Sequence, residues 1–430
     1  MMKHRPLTLF VGLAVVGAVV IGVAGCESAA VAVEQTAGQE ATLTDPGALE
    51  DSAIADNLAE DSAATIADAD LDAASASLVA ANEGSFLELA DIFTARDLTQ
   101  SAHLEGADSI TVQSETDVAI VEEGVYVLTG DATNVTVQVD AGDEAKVQLV
   151  LDGVSIANAS SPVISVVTAD KVFVTLTDSD NYLEVSGTYG SDSLDAVIFS
   201  KSDLVLNGTG SLKVISKAGN GITSKDDLKV TGGTYYVDAA IDGIEANDSI
   251  RIFDGELTIV SGKDAFHSEN SDDLSLGYIY IADVTLTISA GDDGIQGNAV
   301  VQIDGGAIDI QTCTEGIEGT YVQINGGDLA IYATDDGINA ARKSDYDVVL
   351  EVNGGTIDIN MAGGDTDAFD SNGDLYINGG TINVTANSAF DYMGVGRLTG
   401  GEVTVNGVVM TELTPSQMGG MGGRGARPAR

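Results

Sequence analysis

Asp292 and Asp293 stand side by side in AGDDGIQGN (290–298), and Asp335 and Asp336 in ATDDGINA (333–340). Weaker forms of the phrase are AAIDGIEA, GKDAFHS and GDTDAFDS. Asp242, Asp264, Asp293, Glu315, Asp336 and Asp367 each precede a Gly or Ala, and Asp365 lies beside Asp367. If the chain stacks these residues about 4.8 Å apart, two bare charges repel by roughly 3 kcal/mol at an effective dielectric of about 20. Protonation, backbone N–H groups at the corner, or a bound cation must offset this. Calcium suits the donors, since it accepts roughly six to eight oxygens in irregular geometry. The expected ligands are Asp292, Asp293, Asp335 and Asp336 at the densest places, with Asp242, Asp264, Asp365 and Asp367 as further candidates. The alternative is that these aspartates only bond corner amides, a common turn role. The histidines, His4, His103 and His267, are too scattered for a zinc site.

Basic and aromatic groups cluster in two insertions, HSENSDDLSLGY after Phe266 and NAARKSDYDVV after Ile338. They offer His267, Tyr278, Arg342, Lys343 and Tyr346. Arg grips a planar carboxylate with two bonds and Lys supplies a point charge. Lys201 and Lys225, in FSK and TSK, form a second basic pair in adjacent repeats. They either meet sugar carboxylates or pair with Asp203, Asp226 or Asp227.

These groups need a scaffold that repeats. The apolar residue after each acid–small pair is Ile222, Ile244, Phe266, Ile295, Ile317, Ile338, Phe369 or Phe390, and these recur about 22 residues apart outside the two insertions. Each unit holds short alternating strands around a Gly-Gly turn, as in VQIDGGAIDI and LYINGGTINV. Period-two alternation puts Ile303, Ile308 and Ile310 inside and Gln302 and Asp309 outside. One unit cannot fold alone; stacked units share a core and backbone bonds. The fold class is therefore all-β, a right-handed single-stranded parallel β-helix with about 22-residue coils and roughly ten coils. A nonapeptide calcium solenoid lacks its G-G-x-G-x-D repeat here, and a propeller requires a longer period. Both insertions fall at one corner, three coils apart, so their loops should rise from one edge.

The 67 acids against 18 Lys+Arg give a formal net charge of −49. Nucleic acid is excluded as a partner, because it needs a basic face. Cations or neutral ligands fit better; a saline habitat is the competing explanation of the charge. Lys3 and Arg5 precede an apolar run from Leu7 to Val23, and VAGC ends at Cys26. This is the pattern of a secretory signal. With Cys313 the only other cysteine, no internal disulfide framework exists. The expected organisation is a signal peptide over 1–25, a disordered acidic, Ala-rich spacer over 26–84, a short helical cap over 85–107, the β-helix over 108–410 and a flexible tail over 411–430. The cap is read from helical spacing in SFLELADIFTARDL.

VAGC resembles the bacterial lipobox, in which Cys26 is the lipidated first residue. Together with the acid-Gly-Ile corners, the NGG turns and the Met/Gly tail, it makes the chain resemble a bacterial family of carbohydrate-binding β-helices. The type member is a surface protein that binds polygalacturonate and cellulose. The resemblance covers about Ile110 to Gly407. It implies a pectate-lyase-like right-handed β-helix with calcium sites, mapping best onto Asp292, Asp293, Asp335 and Asp336. TEGI (314–317) departs from that pattern by carrying Glu. The expected function is non-catalytic binding of an acidic polysaccharide such as polygalacturonate, with cellulose as a second ligand and calcium as cofactor. A monomer is expected, lipid-anchored in the cell envelope outside the cytoplasm. Two other classes compete: a polysaccharide lyase, with Lys or Arg as base and calcium acidifying the sugar α-proton, and a purely structural spacer or adhesin.

Overall fold

The computed structural model describes residues 86–87, 92–191, 193–364 and 366–415. Cys26, the signal peptide 1–25, the spacer 26–84, Asp365 and residues 416–430 of the tail lie outside the described residues. Strands run from Asp108 to Val409. They form a parallel β-solenoid of about 12 turns with coils of about 24 residues. The stack of aligned apolar residues is realised in register: Ile222 pairs with Ile244, then Phe266, Ile295, Ile317, Ile338, Phe369 and Phe390. It continues back through Ile198, Ile164, Val137 and Val118. These earlier coils lack the acid-Gly-Ile signature and are uneven in length, and the two insertions lengthen later ones. That is why the sequence reading undercounted the turns and shortened the mean coil.

Most coils have three strands; in Ile295–Ile303 and Ile317–Ile324 the first two run together as one. The first carries the aligned apolar residue, as in Phe266–Ser268 and Asp336–Ala340. The second follows the polar corner, as in Tyr278–Ile281 and Val349–Val352. The third follows the Gly-Gly turn, as in Ala307–Thr312 and Thr356–Met361. The two glycines of the turn have different causes. Gly355 has φ +89°, which side chains resist. A Cβ on Gly354 would sit 2.4 Å from the Asn325 carbonyl oxygen of the coil below. The inward side chains form one continuous core, Ile303, Ile308 and Ile310 among them. Each fully buried aliphatic contributes about 1.5–3 kcal/mol.

The short helix expected over 85–107 is absent: no described residue is helical. Ala95–Leu98 makes a single turn, with Leu98 N–H donating to Thr94 O and Asp97 capping the Thr94 amide. The segment is instead a strap laid across the second strands. The Phe86 amide donates to Gln323 Oε1 and the Leu87 amide to Gln302 Oε1. Ile92 and Phe93 pack with Tyr280 and Phe253. The apolar spacing that reads as helical serves this sheet face, whose side chains supply the strap's hydrogen bonds. The strap also explains Gln302, which points outward as the alternation requires yet is 0% exposed.

Candidate functional site

The first strands carry two outward columns of polar residues. In one, several aspartates accept the backbone N–H of the next column member one coil on. Asp242 Oδ1 takes the Asp264 amide at 3.1 Å, and Asp264 Oδ1 takes the Asp293 amide at 3.0 Å. Asp336 Oδ1 takes the Asp367 amide at 3.3 Å. Asn220 plays the same part for Asp242. Corner amide bonding is therefore present, and it is one of the offsets that stacked acids require.

The amides do not absorb all of the charge, because a second column lies beside the first. Thr223, Glu245, His267, Gln296, Glu318, Asn339, Asp370 and Asp391 are in register. Carboxylates thus crowd both along and across coils. Asp293, Glu315 and Glu318 offer ligand oxygens within 4.8 Å of one another, as do Asp264, Asp292 and Asp293. Burial first, and then the charges of Glu315, Asp264 and Glu318, raise the Asp293 pKa far above the ordinary carboxylate range. Burial and Glu318 raise Glu315 likewise, against a hydrogen bond from Asn339. Asp336 is pushed up to about 7 by burial, then by Asp370 and Glu315. Gln296 Nε2 donates to Asp293 Oδ2 at 2.9 Å and to Glu318 Oε2 at 2.7 Å, which fixes two of the oxygens.

Of the expected calcium ligands, the fold gathers Asp264 with Asp292 and Asp293, and Asp242 with Asp264 and His267. Asp335, Asp336 and Asp367 stand in the same stack, but no three-ligand cluster among the described residues includes them. Glu318 was missed, and Glu315 was discounted because it departs from the Asp pattern. A signal for Glu318 existed: it directly follows the aligned Ile317, as Glu245 follows Ile244 and Asp370 follows Phe369.

The cluster of Asp242, Asp264 and His267 is compensated differently. Lys263 Nζ lies 2.9 Å from Asp264 and 3.9 Å from Asp242. His267 Nδ1 is 3.7 Å from Asp242 and Nε2 is 3.5 Å from Glu269. Burial works against the imidazolium, but the Asp242 and Asp264 carboxylates more than offset it and raise the His267 pKa.

The two insertions rise from one corner, and their loops meet: Tyr346 OH donates to Ser275 O at 3.4 Å. Between them is a cleft of about 500 Å³ lined by Asp272, Asp273, Leu274, Ser275, Asp345 and Tyr346. The expected ligand residues divide at this corner. His267 faces the acid columns. Lys343 reaches the same side and pairs with Glu318. Tyr278 lies on the second strands, with the Arg251 guanidinium 5.2 Å from its ring centre. Arg342 is exposed and donates to Tyr346 O at 3.3 Å. Ser200 and Ser224 are in register, so Lys201 and Lys225 do occupy adjacent coils. Lys225 pairs with Glu245 at 3.1 Å. Of the acids named for it in the sequence, Asp227 is held by Arg251 and Asp203 by Lys171.

Residues 114–368 match the family described as carbohydrate-binding domain-containing protein. A protein of that description from Acetivibrio thermocellus is 34% identical over 220 residues, covering 48% of this chain and 77% of the relative. A solved structure, the gadolinium derivative of a polysaccharide lyase-like protein from C. thermocellum, is 26% identical with a TM-score of 0.46, covering 61% of this chain and 98% of that one. With more than half of its length matched, this chain belongs to the family of carbohydrate-binding domain-containing proteins.

Proposed function

We propose that the chain is a non-catalytic carbohydrate-binding solenoid that holds calcium on its acid columns and is tethered to the cell envelope through Cys26. The observation that carries this reading is the crowding of Asp293, Glu315 and Glu318, whose ligand oxygens converge within 4.8 Å. All are hard carboxylate donors, and burial first, then the neighbouring carboxylates, raise the pKa values of Asp293 and Glu315, a cost that a cation would relieve. The same three residues would hold the ion, with Asp264 and Asp292 as a neighbouring donor set. Bound there, calcium supplies positive charge on an otherwise negative face and so lets a sugar carboxylate approach.

The ligand class that follows is an acidic polysaccharide such as polygalacturonate. Binding without cleavage is favoured by the state of the nearby amines. Lys225, Lys263 and Lys343 each pair with a carboxylate. For Lys263, burial disfavours the charge, but Asp264 and Asp242 outweigh it and raise the pKa, which makes this amine a poor base. The test is a polysaccharide array that includes polygalacturonate and cellulose, read with calcium and with chelator. Chelator-sensitive retention of polygalacturonate without release of unsaturated, ultraviolet-absorbing product is expected. Release of that product would establish a lyase. A folded, calcium-loaded protein that retains no polysaccharide would leave a structural spacer as the better account.

A further inference from the structure

A second face, built differently from the acid columns, is the outward side of the second strands. One register column there runs Phe173, Val205, Lys229, Arg251, Tyr280, Gln302, Gln323, Glu351, Tyr376, Arg397. The strap fills the first part of it, from Arg96 over the Phe173 ring to Phe86 at Gln323. Its contacts there are those of an extended polymer read by side chains. Gln302 accepts from Leu87 N–H at 2.6 Å and donates to Leu87 O at 3.1 Å. Phe86 closes the described strap by packing its ring, tilted by 36°, against Tyr321, ring centres 4.9 Å apart.

Directly beyond Tyr321 the column continues as a cleft of about 780 Å³, lined by Tyr321, Arg342, Glu351, Asp374, Tyr376 and Met393 among others. Its rings are oriented: Tyr321 OH donates to Glu351 at 2.9 Å and Tyr376 OH to Asp374 at 2.5 Å. Met393 is 79% exposed and Val395 44%, an apolar shelf beside the polar column. Asn325, Asn353 and Asn378 form an amide ladder along its border. Coils repeat about every 4.8 Å, close to the length of one pyranose unit, so equivalent groups recur once per sugar. Fixed aromatic faces suit the C–H face of a sugar, while the amides and carboxylates suit its hydroxyls. Charge selects among sugars. Asp347, Glu351 and Asp374 outnumber Arg342 on the wall, which repels a polyuronate and leaves a neutral chain unopposed.

We propose that this cleft, collinear with the strap, binds a neutral, extended glycan independently of calcium, as a second site distinct from the acid columns. The inference rests on the carbohydrate-binding reading and adds to it a location for a neutral glycan and independence from calcium. The test is calorimetry on the full chain with cellohexaose in chelator and, separately, with oligogalacturonate in calcium, together with sedimentation. The parent should bind cellohexaose. Tyr376→Ala should weaken that binding at least tenfold, and Tyr376→Phe, which keeps the ring, by less than about threefold. Neither should alter oligogalacturonate binding or the melting temperature by more than a degree or two. Unchanged cellohexaose affinity in folded Tyr376→Ala overturns the site. So does a Tyr376→Ala change confined to sedimentation, which would mark a contact between copies, and so does a parent that binds oligogalacturonate but not cellohexaose. A parent that binds neither sugar overturns this site and the carbohydrate-binding reading together.

Discussion

Replacing Asp97 by Ala should free the strap while leaving the solenoid folded. Asp97 is 0% exposed, with Lys229 Nζ at 2.8 Å and Lys171 Nζ at 3.3 Å; these lysine side chains are only 6% and 14% exposed. Its carboxyl is held below the ordinary value: burial presses it up, but Lys229 and Lys171 outweigh that. The two lysines respond in opposite ways. Lys171 is raised, since Asp97 and Asp203 overcome its burial, whereas burial together with Lys171 and Arg251 lowers Lys229 despite its contact with Asp97. The triad is therefore worth less than its short distances suggest, and the cost of breaking it lies in the stranded Lys229 ammonium. Removing one partner of a buried pair costs about 3–5 kcal/mol. Lys171 keeps Asp203 at 3.4 Å, and strap release would rehydrate Lys229, so the lower end of that range applies. The loss is local, because the strap lies outside the stacked coils. Hydrogen exchange should show the Leu98 amide, bonded to Thr94 O, and the Gly208 amide, bonded to Gln100 Oε1, losing about a hundredfold protection or more. Asp97→Asn should fall between the parent and Asp97→Ala. Unchanged protection of Leu98 and Gly208 in Asp97→Ala would show that the triad does not fasten the strap.

Three further expectations concern charge and the tether. Chelation should lower the melting temperature by a few degrees, since a cation at a hundredfold excess over its Kd adds about 2.7 kcal/mol; Asp293→Asn with Glu318→Gln should blunt the shift, and no shift after verified metal removal would sink the calcium reading. In chelator, stability should fall as pH rises from about 5 to about 8. Asp336 and Asp370, pushed up to about 7 and about 6 mainly by burial and then by neighbouring carboxylates, keep protons in the folded chain that the unfolded chain has released. Their contribution is full below the ordinary value of 3.8 and is lost as pH passes their folded values; a melting temperature that rises over this window would contradict it. Cys26→Ala should release the protein from the membrane fraction or block its processing, and a variant that fractionates and migrates like the parent would refute the lipobox reading.

The repeat was legible because it is written in residues whose neighbours are their own equivalents. Ile222 to Phe390 could be aligned without a structure, since each must fill the same slot above the last. The column of Asp242, Asp264 and Asp293 was legible for the same reason, and so was the repulsion it implies. Glu318 was harder, since its partners Asp293 and Glu315 belong to a neighbouring column and Asp293 comes from the coil before. The strap was not legible. Asp97 meets Lys229, and Leu87 meets Gln302, across separations that leave no period. Phe86, Leu87, Ile92 and Phe93 are spaced to suit either a helix face or contact with several coils in turn. Only the availability of Gln302, Gln323 and Arg251 as hydrogen-bond partners decides between the two.

The few basic residues show how this acidic chain divides its surfaces. Lys171, Lys229 and Arg251 are spent on Asp97, Asp203 and Asp227 beneath or beside the strap. Lys225, Lys263 and Lys343 are spent on Glu245, Asp264 and Glu318 among the acid columns. With these cations paired internally, both candidate faces keep an excess of carboxylates. A polyuronate can approach such a face only where something else supplies positive charge; in the proposed function that is calcium on the converging oxygens of Asp293, Glu315 and Glu318. A neutral glycan has no such requirement and can use the Tyr321–Tyr376 cleft directly. The two sites should therefore part under chelation: polygalacturonate binding lost, cellohexaose binding kept. Loss of both together would mean that the cation maintains the coils themselves, and equal persistence of both would remove the need for a cation on the acid face.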